Sequence, residues 1–358
     1  MGTFKKSDTN ILKGIIILML LFHHVFYDTF MSGAPSAQAY LIPSVTGIIT
    51  KYGACSIFVF ALLSGYGIAA SMEKDMDVRR VVIRRETGLL GTFIPVYIVG
   101  LVIMVIDTRS IGALLTSVYG EDRIYIIYNM FLDMLGLSNL VGAGMMNPTW
   151  WYMAAAHLII FAVPLAVLLF KGSEKYHAET GLLIFLWLFT AFHQEGVTYI
   201  FQYCILTGIT GAYLRRYRVV ETISSRFASV GGRIVEAVIL ICLLLVYHLL
   251  YDHSGLNTYF ITALFAPLMM LIVMDYVSKI KYLRNVLAVL GKYSAVIYMS
   301  HTFLIRAGFL HDFVYSFKYA FMTLGFVLIA DLVFAVILKK LMEVSGWNRL
   351  LGKLEPGR

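Results

Sequence analysis

Charge is scarce in this chain. Asp, Glu, Lys and Arg make up 14% of its 358 residues, and acids are the scarcer sign, 21 against 29 bases. A soluble domain carries about a quarter of its residues as charges, so this composition excludes an ordinary water-soluble enzyme. Cysteine is also rare. The three present, Cys55, Cys204 and Cys242, all lie in apolar stretches, where cysteine serves as a small packing residue. That excludes a disulfide framework and a thiolate metal site. No low-complexity linker and no internal repeat interrupts the sequence, and the matched broken spans of an inverted-repeat transporter are missing.

What fills the chain is hydrocarbon. Hydrophobic residues are 59% and the mean hydropathy is +0.79. Ten apolar segments stand out, at 11–30, 46–71, 89–106, 149–170, 181–193, 198–214, 234–251, 257–277, 286–306 and 317–341. A span needs about 20 apolar residues to cross roughly 30 Å of hydrocarbon, so ten consume most of the chain. The expectation is an all-α, polytopic transmembrane bundle forming a single integral-membrane domain over 1–358. All 29 Lys and Arg but five (Lys51, Arg109, Arg123, Arg306 and Lys318) fall on the termini and the even-numbered loops. By the positive-inside rule both termini are then cytoplasmic. The net charge of +8 is accounted for by this topology and by anionic inner-leaflet lipids, and nucleic-acid binding is not expected. The longest outer loop, 107–148, holds an apolar stretch at Ile124–Leu140 that reads as an interfacial or re-entrant helix. Ala37-Gln38-Ala39 has the form of a signal-peptidase site, but His23 and His24 would be odd in a disposable segment, so cleavage is not expected.

Ionisable side chains within hydrocarbon are costly and mark function. The first span holds the densest group, Phe22-His23-His24-Val25-Phe26-Tyr27-Asp28. His24 and Asp28 are four apart and share a helix face, where a carboxylate can fix the tautomer of an imidazole and support its cation. A second group, Leu290–His301, ends in Tyr298 and His301, three apart and at a depth close to that of His24. Two histidines at one depth on separate spans can line a common cavity. Each, taken alone, is equally served by a packing role.

Four stretches resemble the integral-membrane acyltransferase-3 family, which includes bacterial O-acetylases of surface polysaccharides. Leu12–His24 is similar to the family's opening helix, a basic residue followed by an apolar run and the catalytic histidine, which in ungapped register is His24. Phe58–Tyr66, with Ser64, resembles the family's FFxLSGY stretch. Thr149-Trp150-Trp151-Tyr152-Met153 resembles its tryptophan motif, and Leu290–His301 its GkySlxIYLxH element. Two departures stand out. Pro95-Val96-Tyr97 lies ten residues beyond Arg85, and where many members have Glu after the tryptophan motif this chain has Ala154-Ala155-Ala156-His157.

The resemblance implies transfer of an acyl group, expected to be acetyl, from cytoplasmic acyl-CoA to a hydroxyl of an extracytoplasmic or lipid-linked carbohydrate, in the bacterial cytoplasmic membrane. Arginine suits the donor phosphates because its planar fork binds them bidentately. Of Arg79, Arg80, Arg84 and Arg85, the pair Arg84 and Arg85, with Arg80, is expected in that role. His24 would be general base, oriented by Asp28, or itself the nucleophile. Tyr298, His301 or Trp150 would stabilise the oxyanion, and Trp150, Trp151, His157 and Ser64 would contact the acceptor. No metal is implied. Partners are acyl-CoA, the carbohydrate or glycolipid acceptor and membrane lipids, with oligomeric state left open. A multi-span transporter or flippase is the competing reading. It expects polar residues from face to face, whereas the first and ninth spans carry theirs in the outer halves.

Overall fold

The computed structural model describes residues 3–32, 52–170, 177–192, 199–254, 256–317 and 319–355, with backbone only at 27–32, 177, 199 and 309. Ala37–Ala39 lies outside the described residues. No strand occurs among those described.

The helices in chain order are α1 (Lys6–Ser32), α2 (Ser56–Met72), α3 (Val78–Thr108), α4 (Ile111–Tyr119), α5 (Arg123–Met134), α6 (Ser138–Val141), α7 (Trp151–Leu169), α8 (His177–Phe192) and α9 (Tyr199–Arg216). They continue with α10 (Val219–Arg226), α11 (Val230–His253), α12 (Thr258–Phe265), α13 (Leu268–Asp275), α14 (Lys281–Arg306), α15 (Gly308–Tyr315), α16 (Ala320–Val344) and α17 (Trp347–Leu354). Each apolar segment of the sequence is mainly helical where it is described, with a break at Ala266-Pro267 inside the segment 257–277. Six stretches among the described residues are long and apolar enough to cross a membrane: Lys6–Phe26, Val78–Thr108, Pro148–Leu169, Val230–His253, Thr258–Lys279 and Ala320–Val344. On α11 the large apolar side chains Ile234, Val238, Ile241 and Leu245 are exposed, as expected of a helix whose solvent is lipid. The chain is a multi-pass membrane protein.

The stretch 107–148 differs in detail from the single helix read over 124–140. Asp122 caps α5 by accepting from the amides of Ile124 and Tyr125. The helix then stops at Met134 and Gly136 takes a φ of 71°, a left-handed conformation that ends helices and suits glycine. At 12 residues α5 is about 18 Å long, too short to span.

Contacts gather into two compact units, one of Met1–Ile16, Cys55–Val82 and Ala155–Gly291, the other of Ile17–Ala54, Ile83–Ala154 and Lys292–Arg358. In the first unit, backbones meet at glycines. A Cβ at Gly65 would lie 1.8 Å from the Gly208 carbonyl oxygen, and one at Gly211 would lie 2.0 Å from that of Leu62, so α2 and α9 touch main chain to main chain. Gly14 and Gly291 do the same for α1 and α14, against Leu287 and Asn10. Small residues drive such packing where no hydrophobic effect separates helix from lipid. Polar ties close the unit. Glu221 accepts from the Phe4 amide and the Tyr66 hydroxyl, both at 3.1 Å, and Arg233 pairs with Glu236 at 2.7 Å and Asp275 at 2.8 Å. The second unit holds the candidate site.

Candidate active site

The site is built on three elements: α1, α14, and the turn Asn147–Trp150 that leads into α7. Asn147 organises the turn. Its side-chain oxygen accepts from the Thr149 amide at 3.1 Å and the Thr149 hydroxyl at 2.9 Å, and Pro148 supplies a φ suited to a first helical position. The turn then fastens to α14 at consecutive places. Trp150 Nε1 donates to the Met299 carbonyl at 2.9 Å, the Tyr298 hydroxyl donates to the Thr149 carbonyl, and Asn147 Nδ2 donates to the Thr302 hydroxyl. Trp150 is buried and its ring meets Phe93, Tyr97 and Phe303 at centroid distances of 4.9, 5.8 and 5.7 Å. This aromatic box excludes water from one side of α14.

His301 is fully buried. Its Nδ1 lies 2.7 Å from the Tyr298 carbonyl oxygen. A carbonyl only accepts, so Nδ1 carries the proton and Nε2 presents a lone pair. That Nε2 has no hydrogen-bond partner among the described residues. The ring of His24 stands 4.9 Å from that of His301, tilted by 42°. His23 is 5.1 Å from His24 and nearly perpendicular to it, and its Cβ packs against Gly53, where a Cβ would approach to 2.5 Å. The two histidines expected at one depth therefore do meet, and the site offers a pair of imidazoles with a water-poor lone pair beside them.

The model of the acyltransferase domain family designated acyltransferase-3 matches residues 7–339, which takes in both histidines, the tryptophan turn and nearly the whole chain. The chain belongs to the acyltransferase-3 family. No curated protein and no solved structure matches it significantly. The protein is a membrane acyltransferase.

The remaining expected residues fall unevenly about this acyltransferase's histidine pair. Tyr298 and Trp150 are in the cluster, but their hydrogens are engaged by Thr149 and Met299, so they position α14. Trp151 packs edge-on to Tyr152, and Tyr152 likewise to Tyr298, at 6.0 and 5.9 Å. The side chain of Asp28 lies outside the described residues. Arg84, exposed, and Arg85, half-buried, are on α3 in the second unit. Arg80 is in the first unit and paired with Asp75 at 3.0 Å and Asp77 at 3.6 Å, so its charge is already partly neutralised. Ser64, half-buried on α2, and His157, buried on α7, also belong to the first unit. Among the described residues no three His, Cys, Asp or Glu side chains converge as a metal site would require.

Sequence reasoning missed three sets of residues. Asn147 and Thr302 are 155 positions apart and no spacing could pair them. Asp331 was visible in principle, being a carboxylate in the middle of an apolar span. It is fully buried and accepts from Ser300, the neighbour of His301, at 3.0 Å. The third set is in the stretch 107–148, where Asp133 Oδ2 accepts from the Tyr119 hydroxyl at 2.7 Å and the Met146 amide at 2.8 Å. Tyr119 in turn lies 3.0 Å from the Tyr97 hydroxyl.

Burial pushes the Asp133 carboxyl up to about 6, against the lowering pull of the Met146 amide and the Tyr119 hydroxyl. Its unfolded value is about 3.9. The folded form thus holds the proton more tightly, and the stability this contributes is complete below about pH 4 and lost as pH rises through about 6. The difference is worth roughly 2–3 kcal/mol. Amide exchange at Met146 is expected to quicken between pH 4.5 and 7.5 beyond its intrinsic base dependence, and Asp133→Asn is expected to flatten that excess. An equal excess in the variant would remove Asp133 as its source.

Proposed function

We propose that the protein transfers an acyl group, acetyl by expectation, from cytoplasmic acyl-CoA to a hydroxyl of an extracytoplasmic or lipid-linked carbohydrate, with His24 as general base. The observation that carries the reading is the His24–His301 ring pair inside an acyltransferase domain. Neutral His24 takes the proton of the acceptor hydroxyl as its oxygen attacks the thioester carbonyl. The new C–O bond forms, the C–S bond breaks, and the proton passes from His24 to the departing thiolate. The lone pair on His301 Nε2 is available to the imidazolium or to the hydroxyl, and Asp28, four residues from His24, supports the cation. Tyr298 and Trp150 hold α14, and with it His301, in register. The protein works as one membrane domain of ten spans with both termini cytoplasmic, in the bacterial cytoplasmic membrane. Ser64, His157 and Trp151 serve the acceptor.

Arg84 and Arg85 bind the donor phosphates, and of these two Arg84 is the exposed one. Arg80 contributes less because Asp75 and Asp77 compete for it. Charge-assisted contacts are worth about 1.5–3 kcal/mol each. Replacing Arg84 and Arg85 by Ala is expected to raise KM for acyl-CoA by roughly two to four orders of magnitude while leaving membrane insertion intact, since Lys74, Arg79 and Arg80 remain in the basic segment. Steady-state kinetics of purified protein reads this. Unchanged donor kinetics would assign the cluster to topology alone.

A further inference from the structure

Pro95 lies inside α3 and has no N–H, so the carbonyl of Gly91, four residues earlier, lacks its helical donor. The donor comes from the C-terminal helix instead. Trp347 Nε1, at the start of α17, donates to the Gly91 oxygen at 2.7 Å. Gly91 also makes the approach possible, because a Cβ there would lie 2.5 Å from Leu351 Cδ1. Trp347 and Leu351 thus dock α17 on α3. Beside this joint runs a groove of about 370 Å³, lined by Ile94, Pro95 and Ile98 of α3, Leu338 and Leu341 of α16, and Trp347. Both α3 and α16 are long and apolar enough to cross the membrane, so the groove is within reach of lipid.

The helix α17 divides its faces sharply. At 100° per residue, Trp347, Leu350, Leu351 and Leu354 fall within an arc of about 100°, while Arg349 and Lys353 fall on the opposite side. Leu350 and Leu354 are exposed despite being apolar, and Arg349 and Lys353 are exposed as well. A short helix with an uncovered leucine edge and a basic back is built to lie in the plane of a membrane surface.

We propose that the groove holds an acyl chain of an anionic phospholipid, with α17 lying in the membrane–water interface and Arg349 and Lys353 facing its headgroup phosphate. The groove has the size of a small-molecule site and its walls are hydrocarbon, while α17, whose Trp347 lines it, carries the exposed cations Arg349 and Lys353, which are complementary to a phosphate. The lipid is a structural ligand that braces the Pro95 joint in α3. This inference concerns a lipid site and does not depend on the acyl-transfer reading.

Native mass spectrometry of the detergent-purified full-length protein tests it. The probes are phosphatidylglycerol, phosphatidylcholine with the same chains, and acyl-CoA of the same chain length. One phosphatidylglycerol is expected to be retained in preference to phosphatidylcholine. Ile98→Trp, which fills the groove from an exposed position, is expected to abolish its retention. Arg349→Glu with Lys353→Glu is expected to lower the preference for the anionic lipid on the order of tenfold while leaving the groove itself unchanged. Equal retention by the native and Ile98→Trp proteins, indifference to headgroup in the native protein, or displacement of the lipid by acyl-CoA would each overturn the proposal.

Discussion

His24→Ala is expected to abolish acyl transfer while expression and donor binding stay near normal. The substitution removes a half-buried ring that pairs with the rings of His23 and His301, so little packing is lost, but it takes away the proton acceptor. Losing a positioned general base costs about 10²–10⁴-fold in rate. His301→Ala is expected to fall in the same range, because its ring stands 4.9 Å from that of His24 and its Nε2 has no hydrogen-bond partner among the described residues. Asp28→Asn is expected to be milder, since it keeps the base and loosens its support. His23→Ala is expected to be milder still, as the His23 Cβ packs against Gly53. Turnover of acyl-CoA by each purified variant separates these cases. Loss of activity in His23→Ala with retention in His24→Ala would reverse the assignment.

The second large effect is expected from Trp150→Ala. Trp150 is 1% exposed, packs against three aromatic rings and ties the 147–150 turn to α14 through Met299. Truncating a buried tryptophan costs about 3–5 kcal/mol. Here the loss also frees the segment of α14 that presents His301. Thermal unfolding in detergent is expected to show a clearly lowered midpoint. Trp150→Phe keeps most of the ring contacts and loses the indole donor, so its cost is expected near 1 kcal/mol. If Trp150→Ala unfolds like the native protein, the aromatic box is not the brace of α14.

Much of this was legible in the chain. Hydropathy placed the helices because hydrocarbon demands long apolar runs with internally bonded backbone. The segment read at 149–170 is helix from Pro148 to Leu169, and the one at 234–251 is helix from Val230 to His253. His24 and His301 could be paired because depth in a membrane is a coordinate that sequence carries. What sequence does not carry is which side chain spends its hydrogen on which distant carbonyl. Trp150 and Tyr298 looked like free donors, yet both are committed across 149 positions to Met299 and Thr149. The break in the helix near Gly136 is a local backbone event that apolar periodicity runs straight through. Asp331 is different, because an acid within a span is a readable signal, and its partner Ser300 adjoins a histidine already singled out.

Transfer at the histidine pair is tested most directly by mass spectrometry of envelope glycans from three strains, one with the protein, one without it and one with His24→Ala. An acyl mass increment is expected on glycans of the first strain and on neither of the others. Glycans of identical mass in all three strains, or an increment that persists with His24→Ala, would contradict acyl transfer by this site.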